Sequence, residues 1–298
     1  MIPLRDDLPT LRLPVLTVAL IVINVAIFLW QWQFPTDPAI SDQGLSSGID
    51  QSALEYGAIP YRITHPGDTE CALGVVPQGS QQVGSEVVCE GTPEVIEAER
   101  LAGKRVREPD GTVSEIPEPI PLDQAPWWAT VLTSMFLHGG ILHLAGNMLF
   151  LWVFGNNIEE SLGRVRFLLF YLLAGIVAVY AQAFVDTAAT APTIGASGAI
   201  AGVLGAYALL HPRARVLTLV LLPFFFTLIA LPALLVLGIW FVLQFLPAIG
   251  QTAISDVSGG SSIAYLAHVG GFVFGLAAIK LFLLGRNDES PRPADPAY

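Results

Sequence analysis

Two side chains that could carry out nucleophilic chemistry, Ser197 and His268, lie in small-residue stretches of otherwise apolar segments. The serine stands in the sequence Gly-Ala-Ser-Gly-Ala and the histidine in Ala-His-Val-Gly-Gly. A polar or ionisable group within a bilayer is costly, so it indicates a functional site by default. Serine and histidine together are the minimum set for hydrolysis by a nucleophile and a general base. The rest of the chain must therefore contain elements that bring these two side chains together.

The composition is typical of a membrane protein. Hydrophobic residues make up 53% of the 298 residues and charged residues only 13%, and several apolar stretches approach the ~20 residues that cross a bilayer as helix. We predict an all-α polytopic membrane protein with six transmembrane helices. The predicted spans are residues 14–34, 138–155, 166–185, 197–210, 228–249 and 263–284. No small-residue cleavage site follows the first apolar run, so we interpret that run as a retained anchor.

The basic residues predict the orientation of these spans. The N-terminal segment and segments 156–165, 211–215 and 285–298, with the adjoining helix ends, hold nine Arg and Lys, whereas loops 186–196 and 250–262 hold none. Arg and Lys concentrate on the cytoplasmic side of membrane proteins. Both termini are therefore expected in the cytoplasm of a cell with this protein in its cell membrane, and the two loops without basic residues are expected outside.

An acidic insertion separates the first two predicted spans. Residues 37–123 contain 16 Asp and Glu against 5 Lys and Arg, a net charge of −11 that equals the charge of the whole chain. The sign disfavours a nucleic-acid partner. A short helix at Glu94–Leu101 and a hairpin that turns at Asp110-Gly111 are its few signals of order. We interpret the insertion as a solvated acidic cap on the extracytoplasmic side.

Both cysteines of the chain, Cys71 and Cys89, fall inside this insertion. Two thiols on an oxidising side with no other partner are expected to form one disulfide. Closing that loop would contribute about 3 kcal/mol in the chain-entropy model. The alternative is two free thiols in one loop.

Small-residue stripes on two predicted helices indicate how the reactive pair could meet. The stripes have helical spacing and consist of Ser197, Ala201, Gly205 and Ala208 on the fourth span and Ala264, His268, Gly271 and Gly275 on the last. Such faces allow helix backbones to approach closely. The fourth span would cover about 21 Å of a bilayer core of ~30 Å. Its serine and the histidine are therefore expected at similar depth in the outer half of the membrane.

The second predicted span adds two more polar groups. His143 and Asn147 are spaced i and i+4 and share a helix face. Neutral imidazole and amide groups are hydrogen-bond donors suited to an oxyanion. The alternative is that all three residues are structural. Asn147 would then donate a hydrogen bond to a backbone carbonyl, and Ser197 and His268 would contribute to helix packing. We expect His138, at the outer boundary, to be structural.

The sequence lacks the residues and motifs that several other membrane chemistries need. No Asp or Glu lies in a predicted span, which removes an intramembrane aspartyl mechanism and argues against a proton-coupled transporter. No His-Glu-x-x-His motif occurs and the five histidines lack metal-ligand spacing. We expect neither a metal nor another cofactor.

In combination, these motifs resemble those of the rhomboid intramembrane serine proteases. The likeness covers residues 127–285 and the first span. The motifs that carry it are the Thr-Ser-Met-Phe-Leu-His-Gly run that ends at Gly139, His143-x-x-x-Asn147, Gly195-x-Ser197-Gly198, and Ala267-His268-x-x-Gly271-x-x-x-Gly275. The expected organisation is a cytoplasmic tail, a first transmembrane helix, an extracytoplasmic insertion, a catalytic membrane core and a second tail. These parts correspond to residues 1–13, 14–34, 35–126, 127–285 and 286–298.

The resemblance also implies a chemistry. Ser197 would be the nucleophile and His268 the general base of a dyad, and His143, Asn147 and the Ser197 backbone N–H would form the oxyanion hole. Glu159-x-x-x-Gly163 looks like a structural feature of the family. The implied activity is hydrolysis of a peptide bond in or near the transmembrane segment of a membrane-protein substrate, with the lipid bilayer as the other partner.

Two other functional classes remain compatible with the residues. One is a catalytically inactive relative that binds membrane clients, and the other is a small-solute transporter that uses the same polar cluster. The sequence leaves the oligomeric state open.

Overall fold

The protein is a helical bundle that also contains small antiparallel sheets. The computed structural model describes residues 1–67, 69–78, 82–107, 113–221, 226–253 and 264–285. The helices are α1 Val15–Trp32, α2 Pro38–Ser41, α3 Gly48–Tyr56, α4 Pro60–Thr64, α5 Pro93–Leu101, α6 Trp127–Thr133, α7 Ile141–Phe150, α8 Asn156–Leu162, α9 Arg164–Val185, α10 Ser197–Leu210, α11 Ala233–Ala253 and α12 Tyr265–Leu283. The strands are β1 Ile2–Asp6, β2 Cys71–Gln78, β3 Gln82–Cys89, β4 Arg105–Arg107, β5 Val113–Glu115, β6 Ile120–Pro121, β7 Arg215–Leu221 and β8 Phe226–Pro232.

Four helical stretches within the described ranges are long and apolar enough to cross a membrane. They are α1, the run Ile141–Leu162, α9 and α12. A π-helical turn at Leu151–Gly155 joins α7 to α8 within that run. The apolar helix α10 and the stretch Ala233–Ala248 of α11 are shorter. Helices therefore occur at all six predicted places, and four of them have full spanning length.

The prediction of an all-α protein and of a fifth span from residue 228 is wrong. Residues Phe226–Pro232 form β8, and α11 begins only at Ala233. A short apolar run fits a buried strand as well as a helix, so periodicity could not separate the two. Pro232 then lies directly before the helix, where its missing N–H costs nothing. The predicted second span also begins late, at Ile141, because residues 137–140 form a loop.

A three-stranded sheet closes one end of the bundle. Its order is β1-β7-β8, so the N-terminal strand pairs with the hairpin between α10 and α11. The backbone N–H of Leu11 donates to the Glu160 carboxylate, and an Arg166 guanidinium N–H donates to the Leu284 carbonyl. The N-terminus, the α8–α9 corner and the end of α12 therefore lie at one end of the bundle, as the prediction that they share one side of the membrane requires; that this side is the cytoplasmic one stays a prediction. Residues 286–298 lie outside the described ranges.

Glu159 caps the first helix from a distance. Helix α1 has no side-chain cap of its own, and its first N–H groups need acceptors. The Glu159 carboxylate accepts from the Leu16 N–H at 3.0 Å, from the Thr17 N–H at 2.7 Å and from the Thr17 hydroxyl at 2.8 Å. Its negative charge also suits the positive end of the helix dipole. Gly163, with φ of 74°, then turns the chain into α9.

The segment between α1 and α6 has its own small cores. Cys71 and Cys89 lie opposite each other on β2 and β3 and form a disulfide. Leu73 and Val87 are buried beside them, and Ala98 of α5 packs on the other face of the hairpin. The predicted helix at 94–101 is present, as are β4 and β5, while the turn at Asp110-Gly111 lies outside the described residues. The segment is more ordered than a solvated cap.

Helices α10 and α12 are in direct backbone contact. A Cβ added to Gly271 would lie 2.1 Å from the Gly198 carbonyl oxygen, and one added to Gly275 would lie 2.0 Å from the Gly202 oxygen. Gly205 faces the Phe272 carbonyl in the same way, at 2.2 Å. Only glycine leaves room for this approach. The predicted contact between the two helices is present, but on α10 it runs through Gly198 and Gly202, which lie beside the predicted stripe of Ser197, Ala201, Gly205 and Ala208.

Replacing Gly275 with alanine should separate these helices. The new methyl group cannot avoid the Gly202 carbonyl, so Gly275→Ala should lower the free energy of unfolding by about 1–3 kcal/mol or more. The matched control is Gly238→Ala on α11, where an added Cβ meets nothing within 4 Å. The control should be neutral or slightly stabilising. Thermal melts of the two variants in one detergent test this, and equal melting temperatures would contradict the packing.

A buried carboxyl group joins the sheet to the bundle. Asp6 of β1 accepts hydrogen bonds from the Tyr207 hydroxyl and from the Asn157 side-chain amide, the latter at 2.6 Å. Burial raises the pKa of the Asp6 carboxyl to about 6, and the hydrogen bond from Tyr207 offsets only part of that rise. The native state therefore keeps a proton at pH values where the unfolded chain has lost it.

The raised pKa of Asp6 predicts that the stability of the protein depends on pH. The ordinary pKa is 3.8 and the native pKa is about 6, so the free energy of unfolding should fall as pH rises from about 4 through about 6. Asp6→Asn should flatten that part of the profile, whereas replacement of the exposed Asp42 by Asn should leave it unchanged. Melting temperatures measured between pH 4 and 8 test the assignment. An unaltered profile in the Asp6 variant would refute it.

Candidate active site

Ser197 and His268 are in hydrogen-bond contact. The serine Oγ lies 2.7 Å from the histidine Nε2. Ser197 is the first residue of α10 and His268 lies in the first turn of α12, so the reactive groups come from the same end of two packed helices. This distance is within the 2.6–3.2 Å needed for proton transfer between a nucleophile and its base.

The turn before Ser197 requires glycine. Gly195 has a φ of +123°, and its N–H donates to the Ser134 carbonyl. The position of a Cβ on Gly195 would be 2.9 Å from the His143 Nε2 and 3.5 Å from the Ser197 Oγ. A side chain here would collide with the His143 ring, so the glycine keeps open the space between the two polar groups.

His143 of α7 approaches the turn before Ser197, and Asn147 lies one turn further along the same helix. The Gly139 N–H points to the His143 Nδ1 at 3.5 Å, so Nδ1 is the acceptor and the Nε2 that faces Gly195 carries the proton. Asn147 is buried, and its Nδ2 has no hydrogen-bond partner in the part of the chain that the structure describes. A structural amide bonded to a backbone carbonyl would have such a partner. The Asn147 Nδ2 is one of eight buried side-chain atoms of the described residues that have none.

His138 packs edge-on against the His143 ring, with the ring centroids 5.2 Å apart. It is fully buried in the loop before α7, where its N–H donates to the Gln31 side-chain oxygen at 2.9 Å. Gln31 in turn donates to the Ser52 hydroxyl. The residue thus connects α1 and the segment after it to the loop, which is a structural position.

A second polar side chain contacts His268, and sequence reasoning missed it. Gln244 of α11 places its Oε1 2.7 Å from the His268 Nδ1. A signal was available, because Gln244 is the single side-chain amide in the apolar stretch 233–248. A lone amide in a membrane helix is expensive unless it has a partner.

A small cavity lies beside Ser197. Its lining residues are Ser134, Met135, Gly175, Ala178, Val179, Thr193, Ile194, Gly195, Ser197, Gly198, Ala199, Ala264 and Ala267. The loop that leads to Ser197 is braced by the segment between α1 and α6. Ala58 and Thr193 exchange backbone hydrogen bonds in both directions, at 2.8 and 3.1 Å.

Within the described ranges, no group of three or more His, Cys, Asp or Glu side chains could hold a metal ion.

The bundle and this site match a known domain. Residues 125–285, more than half of the chain, match the Rhomboid domain. The chain belongs to the rhomboid family.

Individual relatives are similar over parts of their length. The chain is 51% identical over 83 residues to the rhomboid protease GluP of Bacillus subtilis strain 168, which covers 28% of this chain and 16% of that protein. It is 30% identical over 151 residues to the mitochondrial Rhomboid protein 1 of Saccharomyces cerevisiae, covering 49% and 40%. It is 34% identical over 149 residues to the human mitochondrial presenilin-associated rhomboid-like protein, covering 49% and 36%. The chain spans less than half the length of each of these relatives.

Proposed function

We propose that this protein is an intramembrane serine endopeptidase that hydrolyses a peptide bond in or near the transmembrane segment of other membrane proteins. The observation that carries the proposal is the 2.7 Å contact between the Ser197 Oγ and the His268 Nε2. Family membership supports it, since one relative is named a rhomboid protease. The buried Asn147 Nδ2, which has no partner among the described residues, is a donor available to a developing oxyanion.

The proposed topology has six crossings with both termini in the cytoplasm. Segments 1–13 and 286–298 are the cytoplasmic tails, residues 14–34 the first transmembrane helix, residues 35–126 the extracytoplasmic insertion and residues 127–285 the catalytic core. Basic residues at the end that holds the N-terminal sheet support this orientation. The 14 residues of α10 cover about 21 Å of a core of ~30 Å, so its first residue lies below the outer surface.

The proposed reaction is acyl transfer to water. The His268 Nε2 takes the Ser197 hydroxyl proton while Oγ attacks the scissile carbonyl carbon. The developing oxyanion accepts hydrogen bonds from the Ser197 backbone N–H, which has no acceptor within α10, from His143 and from Asn147. His268 then gives the proton to the departing amine. Water that enters from the outer face repeats the sequence and releases the acyl group, which restores the serine.

The cavity beside the serine suits a small side chain on the substrate. Gly175, Ala178 and Gly198 line it, and the Met135 thioether fills the space over Gly175. A substrate helix must unwind to present a carbonyl to Ser197, because the carbonyls of an intact helix are bonded to its own N–H groups. Cleavage after a small residue in a segment that unwinds easily follows from both points.

Replacing either member of the pair should abolish cleavage. Ser197→Ala and His268→Ala should each remove turnover while leaving the fold nearly intact, because both positions belong to small-residue helix faces. A fluorophosphonate probe should add its mass to Ser197 in the wild type and in neither variant. Ser161→Ala serves as control, since the hydroxyl of Ser161 donates to the Asn157 carbonyl at the other end of the bundle.

Two results would overturn this assignment. An unlabelled wild-type Ser197 with no cleavage of membrane-protein fragments in cells would indicate an inactive client-binding relative. Solute flux in proteoliposomes that persists in Ser197→Ala would indicate a transporter.

Removing the Asn147 amide should slow turnover more than it weakens substrate binding. Its Nδ2 donor is proposed to gain an acceptor only as charge develops on the carbonyl oxygen, and loss of one such donor typically costs about 10² to 10³ in rate. His143→Ala should act the same way, and the two losses should not multiply, since donors to one oxygen act as a unit. Single-turnover cleavage and thermal melts on the same preparation test this. A destabilised Asn147→Ala with normal turnover would remove α7 from the site.

A further inference from the structure

We propose that Gln244 is a positioning residue that holds the His268 imidazole in the tautomer able to take the serine proton. The inference rests on the proposed function, and it adds a third member, from a third helix, to the Ser197–His268 pair. The geometry behind it is a continuous chain of contacts. The Ser197 Oγ lies 2.7 Å from Nε2 of the ring, and the Gln244 Oε1 lies 2.7 Å from Nδ1.

The two ring nitrogens cannot play the same part. A neutral imidazole carries one N–H donor and one bare nitrogen acceptor. To accept the Ser197 proton, Nε2 must be bare, so Nδ1 must carry the hydrogen. That hydrogen needs an acceptor, and the Gln244 Oε1 lies 2.7 Å from Nδ1, in position to accept it. In the other tautomer Nε2–H would point at the serine oxygen and the ring could not act as a base.

The choice of an amide fits the surroundings. None of α10, α11 and α12 carries an Asp or Glu in its described residues. A carboxylate at this position would be a buried charge in a lipid environment, whereas an amide oxygen accepts the same hydrogen bond without one. The amide keeps the ring oriented and stabilises the imidazolium that forms after proton transfer, through a bond that becomes charge-assisted.

A second contact from the same helix face supports this role. Trp240 lies one turn before Gln244, and its ring centroid is 6.0 Å from that of His268 with an angle of 36° between the planes. On α10, the residue one turn after Ser197 is Ala201, which is fully buried and has no ring to place against the imidazole. Helix α11 therefore supplies both the hydrogen bond and the aromatic contact that restrain His268.

The test compares two replacements of Gln244 in reconstituted protein. Gln244→Met keeps the length of the side chain and removes the acceptor, while Gln244→Glu keeps an oxygen at the same position. For Gln244→Met, kcat on a fluorescent single-pass peptide should fall about 10- to 100-fold, the range for loss of a hydrogen bond to a group that becomes charged, with KM unchanged. The rate of fluorophosphonate labelling at Ser197 should fall by the same factor. Gln244→Glu keeps an acceptor oxygen whether or not the carboxyl group is ionised, so it should recover most of both rates, while burial of the carboxyl group lowers the melting temperature.

A matched control is available on α9. Gln182 is a buried amide in a spanning helix, and Gln182→Met should leave kcat and the labelling rate at wild-type values whatever it does to stability. If Gln244 were only a structural amide, Gln244→Met would behave like this control, with a lower melting temperature and unchanged rates in the folded fraction. That result would overturn the inference.

A measurement on the wild type keeps the proposal testable even if the variants fold poorly. Spectra of ¹⁵N-histidine-labelled protein, assigned with His268→Ala, should show a neutral ring protonated on Nδ1. Protonation on Nε2 would overturn the inference. A wild type that neither cleaves nor labels would instead defeat the proposed function. Normal wild-type labelling with normal Gln244→Met labelling would defeat the role of Gln244 alone.

Discussion

The backbone contact between α10 and α12 is the constraint on which the site depends. Glycines on both helices place carbonyl oxygens where side chains would otherwise stand, near Gly198–Gly271 and Gly202–Gly275. Without a hydrophobic driving force between helices in lipid, such close packing is a main source of helix association. Because the reactive residues lie in the first turns of these two helices, the contact sets their separation directly. Ser197 and His268 need no flexible loop to meet.

Several polar groups in this bundle form hydrogen bonds between elements that are far apart in sequence. Glu159 caps α1 from the α8 side, and Asp6 accepts from Tyr207 at the end of α10. An unsatisfied polar group in hydrocarbon costs several kcal/mol, so each such bond also fixes which helices are neighbours. Some buried atoms of the described residues have no such partner, among them the Asn147 Nδ2, the His138 Nε2 and the Gln182 Oε1. Of these unpartnered atoms only the Asn147 Nδ2 lies on α7, one turn from His143.

The parts of this structure that sequence could predict are those governed by local periodicity. The stripes through Ser197 and His268 follow from helical spacing and small residue types, and so does the face shared by His143 and Asn147. The partner of Gln244 could not be predicted, because it depends on the rotation of α11 against α12. The strand Phe226–Pro232 was not predicted because a short apolar run has no period that distinguishes a strand from a helix. The cores of the insertion were missed because their members are far apart in sequence and join through strand pairing across Cys71 and Cys89.

Two kinds of contact determine where the His268 ring lies, and they differ in how far they can adjust. The glycine contact between α10 and α12 is backbone against backbone and has almost no room to adjust. The contacts from α11 are made by the side chains of Gln244 and Trp240, and side chains can change rotamer or follow small movements of their helix. The outward face of α11 carries exposed apolar residues, among them Val242, Leu243 and Leu246, so this helix borders lipid on one side and the site on the other. The backbone contact between α10 and α12 thus sets the distance between the Ser197 nucleophile and the His268 base. The side chains of Gln244 and Trp240 on α11 set the orientation of the His268 ring.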